Sequence, residues 1–279
     1  MSVVAAIQMA SGPNVAANLM EAGRLIRQAS EEGAKLVTLP EMFGIMGQSD
    51  QDAVNAAEDD GHGQMQNFIS RTARSCGVWI VAGTIPLRTD NPQKYAAASL
   101  LYNDQGERVA RYDKIHLFDV KVEEEGKVYT ESNAVSPGRQ AVVVDTPFGR
   151  LGMSVCYDLR FPELYRHLVQ QGAEIITIPS AFTEVTGIAH WEPLLRARAI
   201  ENLSYVIAPA QGGYHVNGRT TWGHSMVIDY WGRIRGQLNK GAGITLMNID
   251  LDELRATRKN FPVLEHRCPA GTLSADRKD

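Results

Sequence analysis

The sequence predicts an α/β protein in which two β-sheets pack face to face between outer helices. Apolar strands alternate with amphipathic helices in both halves of the chain, which is typical of parallel sheets. Two segments also recur in the same order: GAKLVTLPE (33–41) is similar to GAEIITIPS (172–180), and VWIVAGTIP (78–86) is similar to SYVIAPAQG (204–212). The recurrence indicates an internal pseudo-twofold duplication of a strand–helix–strand unit, with chance similarity of helix-to-strand junctions as the alternative.

The N-terminal part of the chain alternates strands and helices. Continuous apolar runs predict buried strands, and apolar residues at helical spacing predict helices. In order, the expected elements are a strand at 3–9, a helix between Asn14 and Gly33, a strand at 35–39, a helix at 63–76 that stops at Gly77, and a strand at 78–84. Asn14 is a favourable helix cap. The second of these strands delivers Glu41 at its carboxyl end.

The middle of the chain predicts two hairpins joined by a polar loop. The runs YAAASLLYN and RVARYDKIH predict two strands with Gly106 in the turn between them, and Lys114 lies at the end of the second strand. Residues 119–138 are polar and predict a loop, a kind of segment that often builds functional sites. The runs AVVVD and LGMSVC predict the second hairpin, which ends at Cys156.

The second half returns to alternating helices and strands. The expected elements are a helix at 162–171, a strand at 174–178, a helix from Trp191 to Leu203, a strand at 205–210, a hairpin at 225–238, a strand at 243–250 and a helix at 251–259. Asp250 is the expected cap of the last helix. Because no linker-like run divides the chain, we expect one domain over 1–279, with a core at 3–267 and a tail at 268–279.

Composition and charge narrow the functional classes. The chain has 279 residues and a formal net charge of −4, from 28 basic and 32 acidic residues, so it lacks the basic footprint of nucleic-acid-binding proteins. Its three cysteines favour a reducing compartment over a disulfide framework. No apolar run is long enough to span a bilayer, and the N-terminus lacks the pattern of a signal peptide. We therefore expect a cytoplasmic protein that binds neither nucleic acid nor membrane.

Cys156 is the first candidate for chemistry, because it lies where a buried strand turns toward a helix. Ligands of open α/β sheets bind outside the carboxyl ends of the strands, and a thiol at that place is a candidate nucleophile. The alternative is a small buried hydrophobic side chain, which is the commonest role of a free cysteine. The polar residues directly after it, including Tyr157, Asp158 and Arg160, favour the chemical role.

Glu41 and Lys114 supply what a thiol nucleophile needs. Attack on an acyl carbon requires a group that takes the thiol proton, a donor for the oxyanion and an acid for the leaving group. A glutamate can be base and then acid, and a lysine or the backbone N–H of Tyr157 can face the oxyanion. A solvated loop charge is the alternative for either side chain. The seven histidines show no metal-ligand spacing, so we expect no metal site.

Three motifs resemble those of the nitrilase superfamily of carbon–nitrogen hydrolases. They are LPEMF around Glu41, RYDKIHLFD around Lys114 and VCYDLRFPE around Cys156, in the order that the family has them. The resemblance implies a four-layer α-β-β-α sandwich of nitrilase type and a Glu-Lys-Cys triad. It also implies no metal or organic cofactor, and association as a homodimer or a higher homo-oligomer.

The same resemblance implies a role for each site residue. Cys156 would attack an amide and form a thioester, Glu41 would move the protons, and Lys114 would stabilise the tetrahedral states. Glu131, in ESNAVSPG, matches a second glutamate that supports the lysine. For Arg160 and Thr183 the resemblance implies contact with the substrate; the alternative for Arg160 is an ion pair with Glu163.

The segments between these motifs indicate a branch and a substrate. Tyr157 stands where true nitrilases carry tryptophan, and HLFDV, SAFTEVTG and WGHSMVID resemble the Nit branch, most of all its amidases of deaminated glutathione. Such an enzyme would release 2-oxoglutarate and Cys-Gly. The alternatives are an ω-amidase of 2-oxoglutaramate or succinamate, a hydrolase of N-carbamoyl or aliphatic amides, and a non-catalytic binding protein. Residues 211–222 depart most from the resemblance, so His215 and Arg219 either contact a substrate carboxylate or belong to a solvated loop.

Overall fold

A computed structural model describes residues 1–122 and 126–268 of the chain. Apart from Cys268, the predicted tail at 268–279 lies outside the described residues, as does the acidic run 123–125. The strands are β1 (Ser2–Gln8), β2 (Leu36–Thr38), β3 (Trp79–Val81), β4 (Ile85–Arg88), β5 (Tyr95–Tyr102), β6 (Arg108–Asp113), β7 (Asp119–Val122), β8 (Lys127–Thr130), β9 (Val142–Thr146), β10 (Gly149–Met153), β11 (Ile175–Thr177), β12 (Tyr205–Ala208), β13 (Gly212–Tyr214), β14 (Thr220–Trp222), β15 (Met226–Ile228), β16 (Ile234–Gln237) and β17 (Gly243–Ile249). The helices are α1 (Val15–Glu31), α2 (Asp50–Asn55), α3 (Gln64–Cys76), α4 (Pro162–Gln170), α5 (Glu184–Asn202) and α6 (Leu251–Asn260), with short 3₁₀ helices at Glu131–Asn133 and Cys156–Arg160.

Two large sheets form the centre of the protein, and each has a parallel core. Within the described residues, the first sheet has the order β17-β1-β2-β3-β5-β4, with β6 paired to β5, and the second has the order β16-β15-β12-β11-β10-β9. Strands β1, β2 and β3 run parallel, and so do β10, β11 and β12. Each triplet is flanked by antiparallel strands. This equivalence of the triplets confirms the predicted pseudo-twofold duplication.

Side-chain alternation along the strands produces four layers, α-β-β-α. Val4 and Ala6 of β1 pack in the core shared with the second sheet, whereas Ala5 and Ile7 pack against helices α1 and α3. Successive side chains of a strand point to opposite faces, so one strand contributes to both layers. Helices α4 and α5 cover the outer face of the second sheet, where Trp191 is fully buried. The architecture is the sandwich that the sequence predicts.

Helix α5 begins earlier than the predicted start at Trp191. Its cap is Thr183, whose hydroxyl oxygen accepts a hydrogen bond from the N–H of Thr186 at 3.4 Å. Before Trp191 the helix buries only Gly187, so its first two turns lack the apolar spacing that marks an amphipathic helix. The predicted boundary was wrong for that reason.

Two hairpins stand where the sequence predicted or allowed loops. Strands β7 and β8 pair within the predicted loop 119–138, and strands β13 and β14 pair within 211–222. In β7 only Val122 is buried, and β8 buries none of its side chains. Strands this short and exposed leave little alternation in the sequence. Among the described residues, no helix combines the length and apolar character needed to cross a membrane.

Candidate active site

Glu41 follows strand β2 and lies at the C-terminal end of that strand in the first sheet. Hydrogen bonds to the neighbouring backbone fix its position. Gln211 is fully buried, and its side-chain amide donates to the carbonyl of Glu41 at 2.9 Å. The N–H of Met42 donates to the hydroxyl of Thr84 at 2.9 Å. Met42 has a φ of 58°, a conformation uncommon outside glycine. The turn around Glu41 is thus held on both sides.

Lys114 follows strand β6, and a close backbone approach fixes its position. The N–H of Gly138 donates to the carbonyl of Lys114 at 2.8 Å, and the N–H of Lys114 donates to Ala97 at 3.1 Å. A Cβ atom at Gly138 would lie 2.0 Å from the carbonyl oxygen of Asp113. Only glycine permits this approach, so Gly138 helps to fix the position of the Lys114 backbone at the site.

Cys156 comes from the second sheet and has an unusual backbone. Its N–H donates to the carbonyl of Pro179 at 2.9 Å, and its φ is 48°. Non-glycine residues with such a φ often occur where a side chain is presented to a ligand. The 3₁₀ helix begins at Cys156, so the N–H of Tyr157 belongs to a first turn, where N–H groups have no acceptor within the helix.

The ammonium of Lys114 lies between two carboxylates. Its Nζ is 2.8 Å from Oε1 of Glu41, 2.7 Å from Oε1 of Glu131 and 2.9 Å from Oε2 of Glu131. Lys114 and Glu41 are each 2% exposed. Burial lowers the pKa of Lys114, but the charges of Glu131 and Glu41 outweigh burial and hold that pKa well above its ordinary value. The lysine is therefore charged at neutral pH.

The thiol of Cys156 is protonated in this environment. Burial raises the pKa of Cys156 above its ordinary value, the negative charge of Glu41 raises it further, and Lys114 offsets only part of the shift. Burial likewise raises the pKa of Glu131, although Lys114 opposes the shift. Two carboxylates stand against one ammonium, so the lysine does not turn the resting thiol into a thiolate. Nucleophilic attack requires a base, and Glu41 is the carboxylate whose charge acts most strongly on the thiol.

A buried carboxylate links the segment of Cys156 to that of Lys114. Asp158 is fully buried and accepts hydrogen bonds from the hydroxyl of Tyr112 at 2.6 Å and the N–H of Val155 at 2.8 Å. It also accepts from the N–H of His116 at 3.0 Å and lies 2.7 Å from that residue's Nδ1. Burial and the nearby Asp158 raise the pKa of Tyr112, so its hydroxyl remains a donor. The motif residues beside Lys114 and Cys156 thus hold the two motifs together.

A cavity of about 280 Å³ opens onto these groups. Seven of the residues singled out from the sequence line it together, namely Glu41, Lys114, Glu131, Cys156, Tyr157, Thr183 and Arg219. Phe118, Tyr129 and Phe182 contribute to the remaining wall. This volume is near the lower end of ligand pockets, about 300–1,000 Å³, which suits a small molecule.

Arg160 lies behind the cavity wall and not among its lining residues. Its guanidinium carbon is 5.7 Å from the ring centroid of Tyr157 and 5.3 Å from that of Phe182, and its Nη1 is 3.2 Å from Nδ1 of His190. The alternative ion pair with Glu163 is not formed among the described residues. Arg160 therefore backs two aromatic side chains that face the cavity.

The two candidates of the 211–222 segment differ. His215 is buried between the carbonyl of Ser11 (Nδ1 to O, 2.8 Å) and the hydroxyl of Thr221 (Nε2 to Oγ1, 2.7 Å), and burial lowers its pKa. Both ring nitrogens have partners, so His215 supports the hairpin. Arg219 lines the cavity. Of this segment, Arg219 therefore belongs to the cavity wall, whereas Tyr214 and Val216 are exposed to solvent.

The sequence did not predict the roles of some residues that support the site. Gln211 and Gly138 act through backbone contacts that no motif predicts. Asp158 was visible only as a polar residue after Cys156, and two of its partners, Tyr112 and His116, lie more than forty positions away. Within residues 1–122 and 126–268, no group of three or more His, Cys, Asp or Glu side chains is arranged to hold a metal ion.

Comparison with known proteins identifies the family. The model of the carbon–nitrogen hydrolase family matches residues 3–259. The chain is 45% identical to a deaminated glutathione amidase of Yersinia enterocolitica, covering 94% of this chain and 92% of that protein, and 42% identical to that of Homo sapiens, covering 96% and 82%. The crystal structure of the C. elegans NitFhit protein has a TM-score of 0.89 and 36% identity over 95% of this chain, which spans 65% of that longer one. The chain belongs to the carbon–nitrogen hydrolase family, the nitrilase superfamily that its three motifs resemble.

Proposed function

We propose that this protein is an amidase that hydrolyses deaminated glutathione to 2-oxoglutarate and Cys-Gly through a thioester on Cys156. The observation that supports the chemistry is the meeting of the Cys156 thiol, Glu41 and the Lys114 ammonium at one small cavity. The relatives named deaminated glutathione amidase, at 45% and 42% identity, support the substrate. The ω-amidase alternative has no such support.

In the proposed acylation step, sulfur attacks the amide carbonyl carbon as Glu41 takes the thiol proton. A C–S bond forms, and the carbonyl oxygen becomes an oxyanion that faces Lys114 and the N–H of Tyr157. An ammonium has three donors, and one can turn to the oxyanion while the others hold Glu41 and Glu131. Collapse of this intermediate breaks the C–N bond. Glu41 returns its proton to the amine of Cys-Gly, which leaves.

Deacylation uses the same groups in reverse order. Glu41 takes a proton from water as the water oxygen attacks the thioester carbon. Lys114 again faces the oxyanion, and collapse breaks the C–S bond and releases 2-oxoglutarate. The proton passes from Glu41 back to the sulfur, which restores the neutral thiol. No group outside the described residues is needed for either step.

We also propose that Arg160 and Thr183 help to bind the 2-oxo acid end of the substrate. Arg160 backs Tyr157 and Phe182 in the wall near the thiol, and Thr183 lines the cavity. Because Arg160 lies behind these two rings, it would act on the carboxylate through its positive charge, without the paired hydrogen bonds of a guanidinium that lines the cavity. The hydroxyl of Thr183 also caps helix α5, so it stands at a helix start where backbone N–H groups favour anions.

We further propose a cytoplasmic homo-oligomer. Trp231 and Phe261 are about half exposed (48% and 51%), and their ring centroids lie 5.8 Å apart. Exposed aromatic side chains in contact are typical of surfaces that pair with a second chain. Sedimentation velocity is expected to give a dimer or larger species that Trp231→Glu weakens. A wild-type monomer at micromolar concentration would exclude this assembly.

The substrate is tested by comparing deaminated glutathione with 2-oxoglutaramate and following released 2-oxoglutarate. We expect a higher kcat/KM for deaminated glutathione and no turnover of either substrate by Cys156→Ala, because the nucleophile is lost. Circular dichroism is the control that the variant folds. A preference for 2-oxoglutaramate would make the protein an ω-amidase, and turnover by Cys156→Ala would refute the role of the thiol.

The pH dependence of Cys156 alkylation tests the role of Glu41. Because the pKa of the wild-type thiol lies above its ordinary value, the rate with iodoacetamide is expected to keep rising through about pH 8.5 without levelling. Glu41→Gln removes a negative charge, so it lowers the pKa of the thiol and moves the profile to lower pH. Turnover by the same variant is expected to fall about 10²- to 10⁴-fold, since proton transfer is lost.

Glu163→Gln is the matched control, because Glu163 is exposed and does not line the cavity. Its alkylation profile is expected to match that of the wild type. An unchanged profile in Glu41→Gln, or one moved to higher pH, would mean that the charge of Glu41 does not hold the thiol in its neutral form.

A further inference from the structure

The cavity has two cationic side chains among its described lining residues, Lys114 and Arg219. Lys114 already faces the carboxylates of Glu41 and Glu131 at hydrogen-bonding distance. Arg219 forms no ion pair with any of the described residues. A carboxylate that enters the cavity therefore finds one cation that is already paired with carboxylates and one that forms no ion pair with the described residues.

The guanidinium of Arg219 is fixed in place but has unused donor capacity. Its Nη2 donates to the carbonyl of Ala181 at 2.6 Å, and its guanidinium carbon is 5.7 Å from the ring centroid of Tyr129. Its Nε is buried and has no acceptor among residues 1–122 and 126–268. A guanidinium has five N–H donors, and among the described residues that of Arg219 donates only to Ala181, so it keeps donors for a ligand in the cavity.

Arg219 lies where the hairpin β13–β14 meets the hairpin β7–β8. It lies in the loop between β13 and β14, and Tyr129 belongs to β8. The ammonium of Lys127 donates to the carbonyl of Gly218 at 3.1 Å and so joins the hairpins directly. The N–H of Trp222 donates to the carbonyl of Phe182 at 3.0 Å, which joins β14 to a residue that lines the cavity. These contacts hold Arg219 in the wall without placing it in either large sheet.

Deaminated glutathione has two carboxylates, one on each side of the amide that is cleaved. Arg160 is already proposed for the carboxylate of the 2-oxo acid. The other carboxylate ends the Cys-Gly leaving group, at most about 7 Å of extended chain from the scissile nitrogen. We propose that Arg219 binds this terminal carboxylate and thereby selects amides with a carboxylated, dipeptide-like leaving group. This inference rests on the proposed function and adds the determinant of its leaving-group specificity.

The test compares deaminated glutathione with its C-terminal amide, in which glycinamide replaces glycine. The two substrates have nearly the same shape and differ by one negative charge. Wild-type enzyme is expected to prefer the carboxylate by about 10- to 100-fold in kcat/KM, the range for hydrogen bonds to a charged group. This preference is measured without any substitution, so it does not depend on how a variant folds.

Two substitutions then assign the preference to Arg219. In Arg219→Gln the preference is expected to disappear, mainly through a higher KM for deaminated glutathione, because the lost contact is made before the chemical step. Arg219→Lys is expected to keep part of it, since the charge remains but the paired donors do not. Arg233→Gln, an exposed arginine in the turn after β15 and outside the cavity lining, is the matched control and is expected to keep the wild-type ratio.

The outcomes separate this inference from the function on which it rests. Equal hydrolysis of the two substrates by the wild-type enzyme would overturn the inference and leave the proposed function standing. A preference that persists in Arg219→Gln would also overturn the inference. Hydrolysis of neither substrate, with 2-oxoglutaramate still hydrolysed, would overturn the proposed substrate and the role of Arg219 together.

Discussion

The site depends on one buried ammonium that lies between two carboxylates. Lys114 is 2% exposed, and Glu41 and Glu131 both contact its Nζ within 3 Å. Three charges without bulk water are tolerated only because each has an opposite partner, and losing one partner of a buried pair typically costs about 3–5 kcal/mol. The remaining negative charge keeps the neighbouring thiol neutral. In the mechanism that we propose, Glu41 is therefore a base as well as an ion-pair partner.

The fold brings these charges together from opposite sheets. Glu41 and Lys114 follow strands of the first sheet, whereas Cys156 follows β10 of the second. Asp158 bridges the sheets by binding Tyr112 and His116, which flank the lysine. The duplication places the C-terminal ends of the equivalent strands β2 and β11 at the same edge of the sandwich, but the residues that follow these strands differ. Ser180 stands where the first half has Glu41, and its hydroxyl donates to the carbonyl of Ile178.

Much of the fold and the residues that meet at the candidate site could be predicted from the sequence, because both leave local patterns. Buried parallel strands appear as continuous apolar runs, and Glu41, Lys114 and Cys156 each follow such a run. The rest depends on contacts between distant positions. The hairpin β13–β14 buries too few side chains to leave a pattern, so the place of Arg219 in the wall could be named only as one of two possibilities. The contacts of Gln211 and Gly138 pass through backbone atoms, which no residue pattern records.

Covalent catalysis by Cys156 is tested most directly by acid quenching of the wild-type enzyme during turnover of deaminated glutathione, followed by peptide mass spectrometry. We expect a 2-oxoglutaryl group on the peptide that contains Cys156, with release of Cys-Gly before 2-oxoglutarate. The peptides of Cys76 and Cys268 are internal controls and are expected to stay unmodified. Simultaneous release of both products with no acyl group on Cys156 would contradict covalent catalysis by this thiol.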